Sequence, residues 1–364
     1  ADSGDAATNA YNASRVARMK ELQKVVESVN PSAYFINENL ATAKEENDMA
    51  ESGELNWANI NDAGCQFAMG YKSDSNLNRF YAPKDSRTWG STVSYLESHD
   101  EQRLAYKQNQ WGVAGVKGNL SVSMQRLGSA AAQMIMAPGA HMIWQFSELG
   151  NDDNTKNSDG GNNTDPKTVR WNLLDVPERK GLYDCYSELI AIRNGNRDLF
   201  AESASFESNC SASNWENGRK LVSKAGDKEI FTVINPNVTG VLNVSVSFNL
   251  SDNGSYEILS KSYGSEPVFN AAEKTVTVPA NCYVVIGSKN LSSGIERVEA
   301  DGSALISAHA GDGVIVVDNA PGVVDVYATD GRIVGSIRDS GAVNVTAGIY
   351  VLRCGNEVKK LLVK

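Results

Sequence analysis

The chain has 364 residues, 41% of them hydrophobic and 21% charged. That is too long for one small module and too apolar for disorder, so two or three folded domains are expected. Its 34 Lys and Arg stand against 44 Asp and Glu, a net charge of −10 with no basic cluster, which argues against a nucleic-acid or anionic-membrane binder.

The opening residues, Ala1-Asp2-Ser3-Gly4-Asp5, are small and acidic, unlike an export signal, which leaves a trimmed leader or a longer precursor open. A helix is predicted over 12–29, where Val16, Met19, Leu22, Val25, Val26 and Val29 recur at steps of three and four, and Asn30-Pro31 ends it. Residues 33–36 read as a buried strand with Asn37-Glu38-Asn39 at its exit. The order then repeats. An apolar run at 93–96 leads into Glu97-Ser98-His99-Asp100, a helix over 121–136 reaches Pro138-Gly139, a strand over 142–146 runs toward Glu148, and 182–193 forms a last amphipathic helix. The longest apolar run, near 130–137, is far short of the roughly 18 residues of a membrane span, so no transmembrane segment is expected.

Helix, strand, polar strand exit and helix again is the pattern of a parallel α/β domain, assigned to 1–200. From about Phe200 the texture changes to short alternating stretches (229–234, 241–248, 275–278) between Gly, Asn, Asp and Pro turns, a β-sandwich signature for 201–290. A join at 289–294 leads to a second β-sandwich, 291–364, with strands expected at 313–317, 323–328, 332–337, 348–353 and 357–363. The five cysteines are scattered without zinc or redox spacing and read as packing residues, with one long-range disulfide left open. His99, His141 and His309 are too dispersed to read as a three-histidine metal centre.

Glu38 and Asp100 each follow an apolar run directly, so each should emerge at the C-terminal end of a parallel strand, the face on which parallel α/β barrels carry their active sites. Two carboxyls converging there can divide acid and base roles. On pattern alone, an acidic residue after a strand is more often a helix cap or a solvated loop residue.

The motifs go further. Tyr34-Phe35-Ile36-Asn37-Glu38-Asn39-Leu40-Ala41, Leu55-Asn56-Trp57-Ala58-Asn59-Ile60-Asn61 and Tyr95-Leu96-Glu97-Ser98-His99-Asp100-Glu101-Gln102-Arg103 are followed by Ala137-Pro138-Gly139 with Met142-Ile143-Trp144-Gln145-Phe146-Ser147-Glu148-Leu149-Gly150, and by Asp165-Pro166-Lys167-Thr168-Val169-Arg170-Trp171. In that order they resemble the alpha-amylase family of glycoside hydrolases, most of all the secreted amylases of Bacteroides-type bacteria. The resemblance implies a (β/α)8 TIM barrel, with Glu38 after the fifth strand as general acid/base and His99 and Asp100 after the seventh as substrate-side partners. Asp100 would stabilise the transition state and His99 would donate to the sugar beside the scissile bond. A retaining glycosidase pairs such an acid with a carboxylate nucleophile about 5–5.5 Å away.

The departure from the family is as informative. Its nucleophile is an aspartate in a Gly-x-Arg-x-Asp pattern after the fourth strand, and neither this nor the earlier Asp-x-x-x-Asn-His stretch occurs here. Asp2 and Asp5 lack the preceding strand and arginine. The chain is therefore expected to hold a partial barrel, its last four strands, with exposed apolar area along the first and last of them or association with another chain.

Trp57 and Trp144 are candidate sugar platforms, as are Tyr71, Tyr81, Trp89 and Trp111, although core packing is the simpler reading for any one of them. Arg103 is a candidate to orient a carboxylate, with a surface ion pair the alternative. Asp152, Asp153, Asp159 and Asp165 lie in an oxygen-rich loop without EF-hand spacing, read as a solvated substrate-side loop. No cofactor is required, and calcium is an option that the resemblance leaves. Val323-Val324-Asp325-Val326-Tyr327-Ala328-Thr329-Asp330-Gly331-Arg332 and Ala347-Gly348-Ile349-Tyr350-Val351-Leu352-Arg353 resemble the C-terminal sorting module of type IX secretion in Bacteroidetes, implying a secreted, cell-surface or periplasmic protein; an ordinary spacer or carbohydrate-binding sandwich is the alternative. The expected partners are an α-glucan oligosaccharide or polysaccharide and the missing N-terminal half of the barrel. The competing function is a noncatalytic glucan-binding or cell-surface protein derived from an amylase.

Overall fold

A computed structural model describes residues 10–247, 256–289, 291, 306–320, 322–328, 331–354 and 357–363. Asp2, Asp5 and most of the join at 289–294 lie outside them. The first helix, α1 (Ala13–Val29), is capped by Asn12, whose side chain accepts from the N–H groups of Ser14 and Arg15. Its predicted stripe is only partly used. Val16 is buried, whereas Leu22, Val25 and Val29 are 46%, 58% and 83% exposed. What holds α1 is polar, since Arg15 pairs with Glu45 at 2.5 Å and Lys20 with Glu51 at 3.1 Å, both acids lying on or just after α2 (Ala43–Ala50).

Strand β1 (Ile36–Asn37) is shorter and later than the predicted 33–36, and Tyr34 is exposed. An edge strand is extended only where its single neighbour runs beside it; Ile36 pairs with Leu55 of β2 (Leu55–Asn59), parallel. Helix α3 (Asn61–Met69) follows and stops at Gly70, whose φ of 94° a side chain would resist. Strand β3 (Thr92–Tyr95) lies parallel to β2, then come α4 (Leu104–Trp111), α5 (Leu120–Ile135) and β4 (Ala140–Met142), parallel to β3. The predicted strand at 142–146 is displaced to 140–142, because Phe146 takes a φ of 63° and starts a short helical turn at Ser147–Leu149. The sheet order is β1-β2-β3-β4, every connection a crossover, and among the described residues no further strand pairs with either edge. Ile36 at one edge and Ile143 beside the other are 44% and 37% exposed.

Helix α6 (Pro177–Gly195) packs with α5 against a five-stranded sheet, order β5-β6-β7-β12-β9. Its strands are β5 (Ser205–Ser208), β6 (Arg219–Ala225), β7 (Lys228–Ile234), β9 (Tyr256–Lys261) and β12 (Tyr283–Ser288). One face of this sheet (Leu221, Ile230, Ile234, Tyr283, Val285) shares a core with Ala131, Leu182 and Leu189 of the helices. Its other face (Phe231, Val233, Val284, Ile286) closes on the three-stranded sheet of β8 (Leu242–Ser245), β10 (Val268–Asn270) and β11 (Thr275–Val278). Ala1–Ile295 accordingly form one compact unit, in which the step at residue 200 runs between layers of a common core.

The second unit, Glu296–Lys364, has its own core. One sheet joins β13 (Ser307–Gly311), β14 (Val314–Asn319) and β17 (Gly341–Asn344); the other orders β16 (Ile333–Arg338), β15 (Val323–Ala328), β18 (Gly348–Cys354) and β19 (Glu357–Val363). Ile315 and Val317 from the first meet Val324, Val326 and Leu352 from the second, a β-sandwich interior. All five cysteines are free, four of them buried.

Candidate active site

Glu38 stands immediately after β1, and His99 and Asp100 stand four and five residues after β3, so two parallel strands on either side of β2 deliver all three to the C-terminal edge of the sheet. Their carboxylate and imidazole ligand atoms lie within 4.8 Å of one another. His99 Nε2 is 3.6 Å from Asp100 Oδ2, and both side chains are a little under half exposed. The Trp57 ring, from β2, meets the His99 ring edge-on at 5.9 Å, and the Trp144 ring, just after β4, lies 6.2 Å from it. Four successive strands thus supply Glu38, Trp57, the His99-Asp100 pair and Trp144 to one cluster.

The support beneath it is a set of hydrogen bonds. Asn162 Nδ2 donates to Asp100 Oδ1 at 3.0 Å, and Lys156 Nζ donates to the Asp100 carbonyl at 2.6 Å and to the Asn162 side chain. The acidic loop therefore folds back onto Asp100. Glu101 accepts from Asn59 and from Ser98, tying the exits of β2 and β3 together. Burial, joined by the charges of Glu101, Glu38 and Asp100, pushes the Tyr95 phenol up, so it stays protonated beneath the cluster. Asn162, Lys156, Ser98, Asn59 and Glu101 carry no periodic or spacing signal; only the oxygen-rich composition of 151–165 pointed to that loop.

Arg103 is 1% exposed, so the surface ion pair is excluded; the carboxylate that it orients is Glu97, at 3.1 Å. Glu97 also accepts from the Leu104 amide at 2.5 Å and from Ser147, which closes the loop carrying His99 and Asp100 at its base. The Arg103 Nε has no partner among the described residues. Arg103 lines a polar cavity of about 240 Å³ whose other walls include Asn154, Asn163, Asp165, Lys167 and Arg170.

Two of the four loop carboxylates are engaged by arginines. Asp153 takes a bidentate pair from Arg170 at 2.6 and 2.8 Å, which holds its carboxyl below the usual range, and Asp152 pairs with Arg179 at 3.2 Å. Glu148, assigned to a strand end, sits in the helical turn after β4, where burial raises its pKa. Among the described residues, Glu38, His99 and Asp100 are the one group of three that could hold a metal ion.

No family model matches the sequence, and no curated protein does. Solved structures do. An alpha-amylase from Geobacillus thermoleovorans, complexed with acarbose, matches with a TM-score of 0.53 and 14% identity over 75% of this chain and 57% of its own. Amy13B of Eubacterium rectale gives 0.54 and 17% over 79% and 59%, and an alpha-amylase from H. orenii gives 0.52 and 14% over 76% and 57%. The fold is similar to part of that of these alpha-amylases. At these identities the likeness is one of fold alone, and the chain spans less than two thirds of the length of each of these structures.

Proposed function

We propose that the chain is the C-terminal portion of a secreted alpha-amylase-type glycoside hydrolase acting on starch-like α-1,4-glucans. The observation that supports this reading best is the convergence of Glu38, His99 and Asp100 within 4.8 Å at the strand exits of an alpha-amylase fold. Glu38 is the general acid that protonates the leaving glycosidic oxygen and later the base that activates water. Asp100 sets its negative charge against the oxocarbenium-like transition state, and His99 donates a hydrogen bond to the same sugar. Trp57 and Trp144 wall that sugar, and the cavity beside Arg103 receives a neighbouring unit of the glucan. In a retaining mechanism the nucleophilic carboxylate comes from the complementary half of the barrel, which pairs with the open edges at β1 and β4. The second unit serves sorting or surface attachment, a reading supported by its sequence resemblance and its separate sandwich.

The test is a starch assay on the chain alone and with the complementary half added, together with maltoheptaose binding. Turnover is expected in the mixture, and Glu38→Gln is expected to lower it by roughly a thousandfold or more while leaving oligosaccharide affinity within a few-fold. Turnover that survives Glu38→Gln overturns the assignment. Binding without turnover in either case favours the noncatalytic glucan-binding protein.

A further inference from the structure

The cluster at the strand exits has a second chemistry. Glu38 and Asp100 present two carboxylates and His99 one imidazole, with no Lys or Arg among the described residues paired to either acid. Lys156, the nearest cation by hydrogen bonding, reaches the Asp100 carbonyl and not its carboxylate.

We infer that Glu38, His99 and Asp100 bind a divalent transition-metal ion of the zinc type in an open three-ligand site, and that the bound ion excludes the sugar. Zinc bonds to nitrogen and oxygen of about 2.0–2.1 Å place tetrahedral ligands roughly 3.3 Å apart. The His99 Nε2 to Asp100 Oδ2 separation of 3.6 Å is already close to that, and rotation of the exposed Glu38 side chain supplies the rest. Two ligands are oriented in advance. Asn162 engages Asp100 Oδ1 and leaves Oδ2 toward His99, while Trp57 and Trp144 confine the imidazole. Three protein ligands on a solvent-facing edge leave the fourth position to water. The imidazole selects against calcium and magnesium, which prefer all-oxygen shells. Of the acids of the neighbouring loop, Asp152 and Asp153 do not compete for the ion, because they are held by Arg179 and Arg170. Metal binding stands on this geometry alone; exclusion of the sugar rests on the hydrolase reading of the same cluster.

Calorimetric titration of the full chain with zinc chloride at pH 7 tests it. One saturable site is expected, weakened at least about tenfold by His99→Ala and by Asp100→Asn. It should be unchanged by His309→Ala, which removes the exposed His309–Asp318 pair of the second unit, and calcium chloride should not displace the zinc. Zinc binding that persists undiminished in His99→Ala, or no saturable binding at millimolar zinc, overturns the site. Maltoheptaose titrated into the zinc-loaded chain should bind at least about tenfold more weakly than into the metal-free chain; equal affinity overturns the exclusion. A chain that takes zinc with this residue dependence but binds no maltoheptaose supports the metal site and overturns the sugar reading together with the exclusion built on it.

Discussion

At the scale of single residues, His141 shows how far hydrogen-bond chemistry fixes a side chain that spacing left without a role. Its Nε2 is 2.8 Å from the Ala137 carbonyl, which only accepts, so Nε2 carries the proton and Nδ1 accepts from the Ser94 hydroxyl at 2.7 Å. Burial pushes the imidazole down to about 3, and the nearby Arg193 charge pushes the same way. The folded pKa is therefore below the unfolded value of about 6.5, and between the two the unfolded chain binds more protons. The stabilisation is complete above pH 6.5 and lost as pH falls toward 3, at up to about 1.4 kcal/mol per pH unit. Urea midpoints measured from pH 7 to pH 4 should fall less steeply in His141→Gln than in the parent, and parallel curves would refute the assignment. The placement of Glu38 and Asp100 at strand exits was legible because each comes shortly after an apolar run, 33–36 and 93–96, and the motifs around them strengthened the reading. For Arg103 a carboxylate partner was legible but its identity was not: the partner is Glu97, in the loop just before α4, which no spacing singles out.

At the scale of elements, the helix at 182–193 was readable because it buries a stripe (Leu182, Cys185, Tyr186, Leu189, Ile192) that repeats near 3.6 residues, whereas the helix at 121–136 is buried on every side from Arg126 to Ile135 and was marked by its long apolar run; α5 and α6 depart from those bounds mainly at their ends. The edge strands were not, since a two- or three-residue strand contains too few residues to alternate, and β1 and β4 are set by pairing with one neighbour. Nor did periodicity reveal the two buried arginines that join the layers. Arg126 on α5 and Arg219 on β6 both lie over the Phe67 ring, at 5.1 and 5.0 Å, and over Trp215, at 5.6 and 5.5 Å. Among the described residues neither has a carboxylate partner. Arg126 donates to the Ala68 and Phe67 carbonyls ending α3, to the Pro236 carbonyl and to Asn281 Oδ1 at 2.8 Å, linking the parallel domain to the sandwich loops. Burial pushes Arg126 down to about 9, with Arg219 adding repulsion. Arg126→Met fills similar space but leaves those acceptors unpaired, which should cost about 3 kcal/mol in urea unfolding with little change in m. Arg126→Lys should recover only part of this, because one ammonium cannot span a fork of carbonyls. Full stability in Arg126→Met would show that the contacts hold nothing.

At the scale of the whole molecule, the chain divides at Ile295 and Glu296, and each side has a core whose residues come from its own elements. The sandwich class of both β regions was visible in the alternation of short strands. The merging of the first sandwich with the helices was not, because Leu221, Ile230 and Tyr283 on one face and Phe231 and Val284 on the other make its central strands apolar on both sides, where alternation is lost. Separate cores predict separate unfolding. Calorimetry of the full chain should show two transitions, and a cavity cut in one core should move one of them. Leu352→Ala, at a fully buried site of β18, should cost roughly 3 kcal/mol. In a domain as small as the second unit each kcal/mol lowers Tm by roughly 4–8 °C, enough to abolish its transition at moderate temperature. Leu189→Ala, equally buried on α6, should lower the other transition alone, by a smaller interval per kcal/mol because the unit is larger. If either substitution shifts both transitions together, the two cores unfold as one cooperative body and the division at residue 295 has no thermodynamic meaning.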